Sequence, residues 1–251
     1  MNRYVGHARL PASRRVLINI LQLALLTCFC LVPAAAGATE LKTVIAALEQ
    51  GYQALSDVQA TFAQRSAIAG IDREQKGAGE FAIRKGSGGP AMFRFIYVKP
   101  QKQEIICNGK TVWLYIPENR QVMQMDTEAL FAGGNGIAIS YLTGLGQVSR
   151  DFTITFARER QDKKGYYLLE LVPKKPSPVM AKLALTISGT AVEQFLASGT
   201  AVDLFPVVAS TVTDAGGNLT SMEFSGARTN KGISTSRFTF KTPAGVEVIK
   251  Q

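Results

Sequence analysis

The side chains able to do covalent or metal chemistry are few and badly placed for it. The chain has one histidine, His7, and three cysteines, Cys28, Cys30 and Cys107. His7, Cys28 and Cys30 all fall before Thr39, in a segment where Arg3, Arg9, Arg14 and Arg15 lead into an apolar run from Val16 to Val32. The small residues Pro33-Ala34-Ala35-Ala36-Gly37-Ala38 follow. This order reads as a secretory signal peptide, residues 1–38, cut after Ala36 or, preferably, after Ala38 in the small-x-small sequence Ala36-Gly37-Ala38. The run is short for a membrane span of roughly 20 residues. Neither early cysteine follows the small residue that lipidation wants.

From Thr39 onward no histidine remains and Cys107 stands alone. Ser-His-Asp and Cys-His catalysis and histidine metal sites are thereby excluded from the mature chain. There is no G-x-S-x-G elbow either, so neither an enzyme nor a cofactor is expected. Cys107 precedes the turn pair Asn108-Gly109 and reads as a small buried hydrophobe rather than a nucleophile. The glycine-rich loop Gly86-Ser87-Gly88-Gly89-Pro90 lacks the following Lys-Ser/Thr and helix of a phosphate cradle. Without internal disulfides the exported chain must rest on its core, and residues 39–251 suffice for a single domain.

Of the 28 Lys and Arg residues, four leave with the signal segment and none of the 19 acids does, so the mature charge falls from +9 to about +5. That balance suits an anionic surface or partner, but no run of clustered cations supports a nucleic-acid groove. What the sequence does offer is apolar binding chemistry.

The densest stretch for it runs from Ala91 to Met125. Turn signals at Lys99-Pro100-Gln101, Asn108-Gly109 and Pro117-Glu118-Asn119 divide β-branched and aromatic segments, predicting a meander of three consecutive antiparallel strands. Alternation sends Phe93, Phe95 and Tyr97 to one face and Met92, Arg94, Ile96 and Val98 to the other. Trp113 and Tyr115 oppose Val112, Leu114 and Ile116, while Met123 and Met125 oppose Val122 and Gln124. A sheet with one wet face would be polar at every second position. This one is apolar on both, so one face is covered and the other lines a greasy volume, a task suited to aromatic and Met side chains. An ordinary sandwich core is the alternative.

Other elements frame the meander. Leu41, Val44, Ile45, Leu48 and Leu55 follow helical spacing over residues 40–55, with Thr39 as cap. Strands are expected at Val58–Phe62, Gly77–Arg84, Asp151–Phe156, Tyr166–Val172, Lys182–Ile187, Val207–Thr213, Leu219–Phe224 and Ser234–Phe240. Short helices are expected at Thr127–Phe131 and Ile137–Leu145, around Gly133-Gly134-Asn135-Gly136, as a cover. Val192–Ala197 adds a further helical turn.

The order of a helix, G-E-F-A-I-R-K at Gly79–Lys85, P-A-M-F-R-F at Pro90–Phe95, C-N-G-K-T-V-W-L-Y-I-P at Cys107–Pro117 and F-T-F-K-T-P-A-G-V-E-V-I at Phe238–Ile249 resembles the periplasmic outer-membrane lipoprotein carrier family, LolA. The resemblance spans nearly the whole mature chain. It implies a mainly β fold with helices (α+β): an incomplete antiparallel β-barrel covered by a helical lid, enclosing an apolar cavity. It implies a periplasmic chaperone of a Gram-negative bacterium, and transport by such a carrier is easiest as a monomer. Such a carrier takes the acyl chains of lipoproteins released by an inner-membrane ABC transporter and delivers them to an outer-membrane acceptor, LolB. On this reading the cavity is lined by Phe81, Phe93, Phe95, Trp113, Tyr115, Met123, Met125, Leu130, Phe131, Ile137 and Leu142. Phe93 matches the phenylalanine of the family's R-P-x-x-F segment. The arginine of that segment, which latches the lid, has no counterpart, since Gly89 precedes Pro90; counting from Gly79-Glu80 makes Arg84 or Lys85 the candidate latch, against the reading of both as solvated cations. A carrier or sensor of the same fold for another lipid (glycolipid, terpenoid or phospholipid) is the alternative function. A LolB-like acceptor would want an acylated cysteine at the mature N-terminus, which this sequence lacks.

Overall fold

The computed structural model describes residues 39–86, 90–127, 147–200 and 203–250. Helix α1 (Leu41–Ala54) leads into strands β1 (Asp57–Ala67), β2 (Glu74–Arg84), β3 (Met92–Lys99), β4 (Gln103–Cys107), β5 (Thr111–Ile116) and β6 (Gln121–Asp126). A short helix α2 (Val148–Asp151) precedes β7 (Phe152–Gln161), β8 (Tyr167–Pro173) and β9 (Lys182–Ile187). Helix α3 (Gly189–Ser198), β10 (Val207–Thr213), β11 (Leu219–Thr229), a 3-10 turn at Thr235–Phe238 and β12 (Glu247–Lys250) complete the order. The short helices expected at Thr127–Phe131 and Ile137–Leu145, and with them Leu130, Phe131, Ile137 and Leu142, lie outside the described residues, Thr127 excepted.

All strands join one sheet in the order β12-β6-β5-β4-β3-β2-β1-β11-β10-β9-β8-β7. Every pairing is antiparallel except that of β12 with β6. The sheet does not close, yet Ile154 and Phe156 of β7 share one apolar cluster with Val112 and Met125 of β5 and β6. A flat sheet could not bring strands so far apart in its order into one core, so the sheet curls into an incomplete antiparallel β-barrel. Its inner face, here the front, is covered by α1, which buries Val44, Ala47, Leu48, Gly51 and Tyr52, and by α3, which touches α1.

The structure amends several expectations. Three turns make four strands, so the meander is β3–β6 rather than three strands. Glu40, not Thr39, occupies the α1 cap position, and without a side-chain bond; Thr39 instead accepts a hydrogen bond from the Tyr167 hydroxyl at 2.9 Å. The strand expected over Ser234–Phe240 is the 3-10 turn, because Ser234 caps it by accepting from the Ser236 amide. Phe238 is buried and Phe240 half-buried by packing on the outer face of the sheet, not by pairing. Finally, β12 adds a parallel edge that the sequence did not suggest.

Two local devices fix the curl. At Gly79 the β2–β3 register shifts, and a Cβ there would stand 2.0 Å from the Ile96 carbonyl oxygen, so only glycine admits this close approach. A second bulge interrupts β1–β11 between Gln59 and Thr61, adding twist at mid-sheet.

Candidate functional site

Directly opposed residues of an antiparallel pair share a face, so the registers assign each candidate. Ile83 pairs with Phe93, Phe81 with Phe95, Phe93 with Cys107 and Phe95 with Ile105. Cys107 pairs with Val112, and through Val112–Met125 and Leu114–Met123 the front face continues to β6. Phe81, Phe93, Phe95, Met123 and Met125 therefore share the front face. Trp113 pairs with Ile106 and Tyr115 with Glu104, which puts both on the back, where their rings lie 6.0 and 5.4 Å from that of Phe240. The structure thus divides the expected lining between two faces.

The front centre is an aromatic cluster. Phe81 stacks on Phe95 at 5.5 Å, Phe95 meets Phe62 and Phe93 edge-on, and Phe81 meets Phe224. Phe205 bridges Phe81 and Phe224 to Tyr52 of α1. Phe62, Phe205, Phe224 and Tyr52 were not singled out from sequence; Phe62 and Phe224 were placed on strands, but their common face appears only from the β1–β11 register, which pairs them directly. Phe81 and Phe93 are each 1 % exposed and Phe95 is 9 % exposed, so in this arrangement the centre is shut beneath α1 and Phe205. At one margin the Tyr97 hydroxyl donates to Gln64 at 2.8 Å, and burial pushes its pKa up.

The two candidate latches have different partners. Lys85 donates from Nζ to the Gln53 carbonyl at the C-terminal end of α1, 2.8 Å away, where a cation also suits the negative end of the helix dipole. Arg84 lies on the back face and donates to the Ile233 carbonyl. Cys107 is fully buried and free; burial raises its thiol pKa, against smaller lowering by hydrogen bonds from Gly109 and Thr127. No group of three or more His, Cys, Asp or Glu side chains that could hold a metal occurs among the described residues.

The back is covered differently. Phe238, fully buried, packs with Ala82, Ile233 and Met92. Arg94 donates to the Arg237 carbonyl at 3.1 Å while paired with Glu104. A cleft of about 80 Å³ lined by Gln59, Glu80, Arg228 and Arg237 among others opens beside the β1 bulge.

An unclosed curled sheet folded round an aromatic centre beneath a helix defines a half-barrel with an apolar interior. Comparison with known proteins gives that class a family: residues 53–200 match the model of the outer membrane lipoprotein carrier protein LolA, and the chain belongs to this family. An outer-membrane lipoprotein carrier protein of Methylobacillus flagellatus is 26 % identical over 205 residues, covering 82 % of this chain and 88 % of that one. One from Azotobacter vinelandii is 26 % identical over 192 residues, covering 76 % and 81 %. Among solved structures, a LolA superfamily protein of Nitrosomonas europaea aligns at 14 % identity over 81 % of this chain and 99 % of that chain, with TM-score 0.39. A conserved protein of Thermus thermophilus aligns at 13 % identity over 82 % and 97 %, with TM-score 0.49.

Proposed function

We propose that this protein is a periplasmic carrier that shelters the acyl chains of lipoproteins on the front face of its half-barrel. On this proposal it takes them after release from the inner membrane and surrenders them to an outer-membrane acceptor. The observation that carries the reading is the aromatic centre of an unclosed sheet shut beneath helix α1. Burying an acyl methylene is worth roughly 0.8 kcal/mol, so exposing one chain of about 16 carbons costs on the order of 13 kcal/mol. Such a group does not cross an aqueous compartment unaided. Release without an energy source requires loose complementarity, and Phe and Met side chains on a sheet that does not close provide an adaptable surface rather than a fitted slot.

In this scheme residues 1–38 direct export and are removed, and residues 39–251 work as one domain. Lys85 fastens the lid at the C-terminal turn of α1 by one hydrogen bond from its ammonium, where a guanidinium would offer a planar fork. The test is native mass spectrometry with lipid extraction on mature protein from its host periplasm. Triacylated lipoprotein at one-to-one stoichiometry supports the reading. Another lipid moves the cargo to a glycolipid, terpenoid or phospholipid, and an empty protein reduces the front face to a core.

A further inference from the structure

Among the described residues the two ends of α1 differ in what fastens them. At the C-terminal end, Lys85 donates to the Gln53 carbonyl and Asn230 Nδ2 donates to the Ala54 carbonyl at 3.3 Å. Asn230 Oδ1 accepts from the Ser56 amide at 2.8 Å and from its hydroxyl at 3.0 Å, and Asn230 Nδ2 also reaches Asp203 at 2.9 Å. Asn230 adopts φ 55° to do this, a left-handed conformation that asparagine tolerates better than most residues. Beneath it the Asp57 carboxylate, 3 % exposed, accepts from the Lys231 and Gly232 amides at 2.9 Å each. Breaking this node would strand a buried carboxylate among unpaired amides, which is costly. The chain also runs on covalently from here into β1.

At the other end, α1 is tied by the Tyr167 hydroxyl on Thr39. Farther along the helix, half-buried Glu49 accepts from the Ser149 amide at 2.9 Å and its hydroxyl at 2.6 Å. The Glu49 bonds are solvent-exposed and can be exchanged for water at little cost, while the Tyr167 bond is part-buried. At this end Val44 is fully buried, but Leu41 and Ile45 are only partly buried against the core, as are Ile154 and Phe156 of β7. The Phe156 ring lies 6.4 Å from that of Tyr167 and is covered outside by the exposed Arg160 guanidinium at 5.2 Å.

We propose that α1 is hinged at its C-terminal end by the Asn230–Asp57 node, and that the acyl chain is admitted at its N-terminal end, along β7 and β8 past Phe156 and Tyr167. This rests on the carrier reading above and adds to it a portal and a direction of opening. Lys85 and Asn230 then hold the pivot, while Tyr167 and Glu49 hold the moving part. An acyl chain entering at the portal meets Phe156 first and the aromatic centre at Phe81 and Phe95 last.

The test uses two spin-labelled pairs in the mature chain, Lys42→Cys with Lys163→Cys across the portal, and Gln53→Cys with Lys231→Cys across the hinge. All four positions are exposed, and buried Cys107 stays unlabelled. Distances are measured by pulsed electron resonance before and after addition of a synthetic triacylated lipopeptide, with binding recorded separately by native mass. The portal pair is expected to move outward by about 5 Å or more, one helical turn, with the hinge pair unchanged. A moving hinge pair with a fixed portal pair, or two fixed pairs with lipopeptide bound, overturns the inference while leaving the carrier reading intact. Failure to bind the lipopeptide overturns both. As an independent check, Tyr167→Phe is expected to speed lipopeptide uptake about twofold to tenfold, the worth of one hydrogen bond, and an unchanged rate counts against the portal.

Discussion

On the front of β2–β6, Phe81, Phe93 and Phe95 lie beneath a helix; on the back, Ala82, Met92, Trp113 and Tyr115 lie beneath the last residues of the chain. The front layer belongs to the larger apolar cluster, whereas the back combines a small one with the charged side chains of Arg84, Arg94 and Glu104. Their fastenings differ as well. The back cover is bound through backbone carbonyls by Arg84 and Arg94 and ends as a strand of the sheet itself. The front cover is joined to the sheet by scattered side-chain bonds outside its hinge. A surface that must be exposed and re-covered is built beneath the second kind of fastening, and a surface that must stay dry beneath the first.

Truncations at the two centres should separate these roles. Phe238→Ala and Phe81→Ala each remove a fully buried ring and are expected to cost about 3–5 kcal/mol in urea unfolding. Only Phe81→Ala should also change the affinity for a fluorescent acyl probe measured where both variants are folded. Equal loss of binding in the two would erase the distinction between the faces. Gly79→Ala comes next, with an expected loss of about 1–3 kcal/mol, because its Cβ forces the Ile96 carbonyl away; a neutral result would remove the bulge from the account of the curl. Lys85→Met should cost no more than about 1 kcal/mol while broadening the distance between spin labels across the hinge, whereas Arg84→Met should leave that distance unchanged. The smallest effect is expected at Cys107: buried, with its pKa raised, it should resist iodoacetamide at pH 8 in the native protein and react on unfolding.

Much of this was legible in the sequence. The alternation in β2 and β3 put Phe81, Phe93 and Phe95 on strand faces, and the turn pairs marked the meander. The phase between strands was not legible, because both faces are apolar and alternation alone cannot say which set points inward. The Asn108-Gly109 turn sets Cys107 opposite Val112, and that register sends Trp113 and Tyr115 outward. Phe238 and Phe240 carried the period of a strand, yet Ser234 supplied a cap and the backbone turned. The hinge was invisible for a different reason: Asn230 and Asp57 are 173 residues apart in number, and nothing local to either announces the other. Lys85 was found by counting along a resembling motif, and its partner on α1 gives it a physical role.

The measurement that tests the central claim most directly is hydrogen exchange of the mature protein with and without the triacylated lipopeptide. The account expects the amides of α1 to exchange faster once the lipopeptide is bound, with residues 233–250 on the back unchanged. Faster exchange confined to residues 233–250, or an α1 that stays as protected with lipopeptide bound as without it, would contradict it.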